Sequence, residues 1–145
     1  MLHARIDTTQ DFDGHAVVLA VFDLSESEAS AASHVVGAVR AERYRNAAMS
    51  TDDVLEMREL TALADELGVF AGQGGAGTLV LRPARLTALR HALEAFVASR
   101  DEAEWMRAED REPLAIGRSL LWPLADLCTD ALRAALAAAD TAPAT

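Results

Sequence analysis

The clearest alternation of apolar and polar positions lies in residues 78–101, TLVLRPARLTALRHALEAFVASRD, where a short apolar run leads through Pro83 into a one-sided helix. At about 100° per residue, Leu86, Leu89, Leu93, Phe96 and Val97 share one stripe, and Thr87, His91, Glu94 and Asp101 lie on the far side. The pattern predicts a strand at 78–82 and a core-facing helix from 84. At the start of the chain Leu2, Ala4 and Ile6 alternate with His3, Arg5 and Asp7, as in a strand covered on one face, and residues 15–22, HAVVLAVF, form a continuous apolar run fit for a more central strand. Asp11 to Gly14 supplies the turn between them, so the first 22 residues read as a hairpin.

Ser25 with Glu28 forms a capping box, in which each side chain satisfies a free backbone N–H at a helix start, and a helix over about 26–47 should follow. Its stripe is thin: Ala32, Val35, Val36 and Val39. Ser50 with Asp53 repeats the start signal, and in the second helix Met57, Leu60, Ala64 and Leu67 face one way until Gly68, which is placed for a C-cap. The Gly-rich segment 71–77, AGQGGAG, separates the halves. After an acidic connector around 102–112, Pro113 suits the first turn of a last helix that runs to about 138, with Leu114, Leu120, Leu121, Leu124, Leu127, Cys128 and Leu132 on a wide apolar face and a kink expected at Pro123.

These elements define an α+β, mainly helical domain over residues 1–138, with four helices packed on a small sheet of about three strands and a frayed tail at 139–145; an all-helical bundle is the alternative. Their order hints at a duplicated βαα unit. A shift of 57 residues aligns His34 with His91, Ala38 with Ala95, Arg43 with Arg100, Met49 with Met106, Asp53 with Asp110 and Leu63 with Leu120. In a chain so rich in Ala and Leu, chance also produces such identities.

Composition narrows the functional classes. With 145 residues the chain buries about two thirds of its unfolded surface and needs no staple. All 13 basic residues are Arg, which reads as the codon usage of a G/C-rich genome. A formal net charge of −10 opposes nucleic acid and anionic membranes alike. Cys128 is the only cysteine, the start MLHARID lacks the apolar run of a secretion signal, and no stretch reaches the length of a membrane span; the expectation is a soluble cytoplasmic protein.

Candidate chemistry is sparse. His3, His15, His34 and His91 stand in no metal-ligand pattern, AGQGGAG runs from a helix into a strand where a phosphate loop runs the other way, and no nucleophile signature occurs, so no metal, cofactor or catalytic residue is expected. Cys128 should sit on a buried helix face as an inert thiol. Two arginines stand out, because Arg43 and Arg100 each project onto the apolar stripe of their helix, one turn beyond Val39 and Phe96. Either both stripes end there and the guanidinium reaches water, or the arginines hold an anionic ligand or a buried ion pair. Trp122 falls on the polar side of the last helix with Arg118, Asp126, Thr129 and Arg133; either it marks an interface, or the Pro123 kink or the connector with Trp105 and Met106 covers it. The function expected is a non-enzymatic interaction or regulatory module, homodimeric or bound to another protein, with Arg43, Arg100 and Trp122 as binding residues. The alternative is a protein that binds a small anion, or an enzyme of unfamiliar pattern.

Overall fold

A computed structural model describes residues 3–45, 49–72 and 76–140. The hairpin is present: β1 (Ala4–Gln10) pairs antiparallel with β2 (Ala16–Leu24), from Ala4 opposite Phe22 to Gln10 opposite Ala16. Its turn is held by the Asp11 carboxylate, which accepts the backbone N–H groups of Asp13 and His15 at 2.9 Å each, and by Gly14 at φ +79°. This tight turn carries the pairing on through the polar Thr8, Thr9 and Gln10, so β1 lies later in the chain than its apolar alternation suggests. Leu2 lies outside the described residues.

The remaining elements are α1 (Glu26–Tyr44), α2 (Thr51–Gly72), β3 (Gly77–Leu81), α3 (Pro83–Asp101), a short 3₁₀ turn (Ala108–Asp110) and α4 (Arg111–Asp140). Ser25 and Glu28 form the capping box before α1, and Ser50 and Asp53 cap each other in the same reciprocal way before α2. The predicted extension of α1 to 47 and the Gly-rich residues 73–75 fall partly or wholly outside the described residues, as does the tail from 141; residues 139 and 140 still belong to α4. α4 continues through Pro123 without a break.

Four helices and a three-stranded antiparallel sheet of order β1-β2-β3 give the mainly helical α+β fold, not the all-helical bundle. Register decides which side of the sheet is covered. Ile6, Ala20 and Leu81 form one row across the strands, and Val18, Ala20, Phe22 and Leu24 of β2 enter the core under the helices. The other row, Arg5, Val21 and Val80, lies on the opposite face; there Val21 is buried yet outside the core cluster.

The 57-residue shift reappears as structure. Moved along by 57, Glu26–Tyr44 becomes Pro83–Asp101, which is α3 end to end. The buried residues of α1, Ala29, Ala31, Ala32, Val35, Val36 and Val39, become Leu86, Ala88, Leu89, Ala92, Leu93 and Phe96, the buried residues of α3. Met57, Leu60, Leu63 and Leu67 of α2 become Leu114, Gly117, Leu120 and Leu124 of α4, and Phe22 and Leu24 become Leu79 and Leu81, all of them buried. The chain is therefore two βαα units in one register, with β1 and the end of α4 added. The helices interlock accordingly: α1 packs on α2, α3 and α4, and α3 packs on α4 and α2. Ala29, Ala32, Val36 and Val39 of α1 correspond to the larger Leu86, Leu89, Leu93 and Phe96 of α3, while Val35 corresponds to the smaller Ala92, an uneven division of volume that fills the layer between the two helices. Gly117 extends the same logic, since a Cβ there would stand 3.4 Å from Leu93 Cδ2 where α3 and α4 meet.

Candidate functional site

Arg100 lies at the end of α3, one turn after the buried Phe96, and its guanidinium stacks over the Phe96 ring at 4.1 Å. Its Nη1 donates to Glu42 Oε1 of α1 and to Ser99 Oγ, both at 2.7 Å, and its Nε donates to Asp110 Oδ2 at 3.4 Å. The other oxygen of Asp110 accepts from His34 Nε2 of α1 at 2.7 Å, and the His34 ring meets Phe96 edge-on. The Arg100 and Asp110 side chains are 16% and 10% exposed, which makes this a buried pair closed by a histidine. Burial by itself would raise the Asp110 pKa, but the hydrogen bond from His34, together with the charge and hydrogen bond of Arg100, outweighs it and holds the carboxyl below its ordinary value.

Arg43 makes the corresponding cluster in the first unit. Its Nη1 donates to Glu56 Oε1 of α2 at 2.7 Å, and Glu56 Oε2 faces His91 Nδ1 of α3 at 3.4 Å. Both units thus hold an arginine–carboxylate–histidine set, and in each the histidine comes from the other unit. Arg43 and Arg100, and His34 and His91, are counterparts at the 57-residue shift. The carboxylates are not, because the counterpart of Asp110 is Asp53, one helical turn before Glu56. Both arginines are paired with acidic groups of other elements, but the structure does not bring the two together.

A cleft of about 510 Å³ opens beside Arg100, between the ends of α1 and α3 and the connector that carries Trp105. Arg45, Arg100 and Arg107 share its wall with Glu42, Glu109 and Asp110, and Arg43 takes no part in it. Arg100 directs its hydrogen bonds at two carboxylates and a hydroxyl, and the wall is balanced in charge, so an entering anion would meet carboxylates as well as guanidinium groups.

Trp122 is 79% exposed; neither Pro123 nor the connector covers it. Leu132 and Leu136, 60% and 59% exposed, lie on the same side of α4, with the half-buried Leu121 and Cys128 at its margin. Beside Trp122 a groove separates α4 from Ala4, Arg5 and Ile6 of β1. Burial raises the Cys128 thiol pKa, and the nearby Arg90 only partly offsets this, which keeps the sulfur protonated as expected of an inert thiol. Asp11, Asp13 and His15 place ligand-type atoms within 4.8 Å of one another at the exposed hairpin turn, where the Asp11 carboxylate serves the backbone of the turn.

Sequence reasoning flagged Arg43 and Arg100 without their partners. Glu42 and Glu56 carried no signal in the sequence, Asp110 entered as the counterpart of Asp53, and His34 and His91 stood in no metal-ligand pattern. The signal that could have joined them is the shared 57-residue spacing of the two histidines and the two arginines. Compared with known protein families, with curated proteins and with solved structures, the chain matches none. Among the described residues, no helix is long and apolar enough to cross a membrane.

Proposed function

We propose that this protein is a non-enzymatic interaction module that works as a homodimer in the cytoplasm, two copies packing antiparallel through α4. The observation that carries this reading is the uncovered apolar stripe of Trp122, Leu132 and Leu136, which spans about 21 Å of helix within about 80° of its circumference. The stripe is self-complementary at its two ends. With two helices antiparallel about Thr129, Trp122 of one copy meets Leu136 of the other, while Leu132 falls opposite Asp126. A large apolar side chain taken from water contributes about 1.5–3 kcal/mol, so the six side chains of a two-fold contact offset an association cost of about 4–15 kcal/mol with little to spare. That balance favours a dimer of micromolar strength. The charge of −10 weighs against nucleic acid as the partner, and the single cysteine suits a reducing compartment.

The anionic-ligand alternative has the Arg100 cleft in its favour and the balanced charge of the cleft wall against it. Light scattering tests the dimer directly. The wild-type chain should be dimeric at about 100 μM and Trp122→Asp monomeric with its fold intact. A wild-type chain that stays monomeric at that concentration removes the reading.

A further inference from the structure

The repeat leaves one position in the fold unfilled. β2 carries β1 along its outer side, and α4 lies across that strand, with Trp122, Pro123, Asp126 and Leu127 facing Ala4, Arg5 and Ile6. Moved back by 57 residues, β2's counterpart is β3, and those four positions of α4 become Asp65, Glu66, Val69 and Phe70 of α2. Among the described residues no strand runs along the outer side of β3. Phe70 lies against the head of that strand, its ring 3.2 Å from a Cβ placed on Gly77, while Val69 and Asp65 are exposed.

The two sheet edges differ in a second way. β1 carries Arg5 and Asp7 and has α4 beside it, both of which discourage pairing with another chain. Gly77–Leu81, GTLVL, has no charge and no proline, and its register against β2 is unbroken by a bulge. Nothing in its own sequence blunts it.

We infer that the free edge of β3 is a strand-addition site that takes an extended peptide of another protein, antiparallel, in the place that β1 occupies on β2. β1 shows the chemistry such a peptide needs: apolar or small residues at alternate positions in the row of Leu79 and Leu81, facing the helices, with polar residues between them. The peptide is basic. It runs beside the exposed Asp65 on a chain whose net charge is −10, Glu66 being held by Arg85 of α3, and β3 itself brings no charge to meet it. The site is at the sheet edge opposite β1 and α4, so it does not depend on the dimer.

The test uses a fluorescent peptide of residues His3–Gln10 carrying Asp7→Arg, titrated into the full chain and followed by anisotropy. Saturable binding is expected, weakened about tenfold or more in a Thr78→Lys, Val80→Lys double variant, whose changes fall on exposed positions and should leave the circular dichroism unaltered. Added peptide should slow amide exchange in β3 and leave α4 unchanged. The inference is overturned by the absence of saturable binding up to about millimolar peptide, by undiminished binding in the double variant, or by protection, without peptide, of the β3 amides that point away from β2, which would place a second copy on that edge. Trp122→Asp, run in parallel, should bind the peptide as the wild type does, so a failed dimer and a failed peptide site are told apart.

Discussion

Arg100→Ala removes a guanidinium that neutralises the one buried charged residue among those described, Asp110. Breaking a buried pair from one side costs about 3–5 kcal/mol, because the charge left behind has lost its compensation. Here His34 keeps its 2.7 Å bond to Asp110, which places the expected loss at the lower end, about 3 kcal/mol. Loss of the stack on Phe96 adds to it, and the half-exposed Glu42 adds little. In a chain of this size that corresponds to a fall in melting temperature of about 6–12 °C. Urea unfolding followed by circular dichroism should show a lower midpoint at an unchanged slope. The pH dependence identifies the cause. Asp110 has a lowered pKa in the folded chain, so its contribution is complete above the ordinary carboxylate value of 3.8 and is lost as the pH falls through the lower folded value. The gap between wild type and Arg100→Ala should therefore be widest near neutrality and close in acid. A loss under about 1 kcal/mol at pH 7, the range of an exposed pair, or a gap that does not narrow in acid, would show that Arg100 does not act through Asp110. Arg43→Ala is the internal control: its side chain and that of Glu56 are 27% and 24% exposed, and its loss should be the smaller of the two.

Two further substitutions test the packing and the capping. Gly117→Ala should stabilise the chain by up to about 1 kcal/mol, since helical Gly is entropically costly and a Cβ there finds ordinary contact with Leu93; Gly117→Leu, which imports the residue of its counterpart Leu60, should instead cost about 1–3 kcal/mol by crowding α3 against α4, both read by thermal melts. Ser25→Ala removes the hydroxyl that accepts the Glu28 N–H and should cost about 1 kcal/mol by urea melts, with a null effect refuting the cap's contribution.

The elements of this fold were readable because their signals are local. The capping boxes at Ser25 and Ser50, the turn at Asp11–Gly14 and the leucines of α3 each act within a few residues of themselves. The repeat was harder to see, because it preserves the positions of buried residues and not their identities: Val36 stands where Leu93 stands, and Leu60 where Gly117 does. Arg43 and Arg100 could be flagged from one turn of helix, but the carboxylates and histidines that answer them come from other helices, and His34 meets Asp110 across 76 positions of sequence. Pairing at that distance is a property of the packed helices. The face of α4 on which Trp122 falls was readable from its number, but whether the kink or the connector covers it there was decided only by the packed structure.

The unequal division of bulk between α1 and α3 shapes how this chain can change. Two copies of the α1 face, all Ala and Val, would leave gaps if packed together, and two copies of the α3 face, with its leucines and Phe96, would collide. Neither half can stand in for the other, because each face is fitted to its partner and not to a copy of itself. A heavier residue is admissible in one helix only when the facing helix has already been lightened, so the order in which substitutions arrive determines which of them survive.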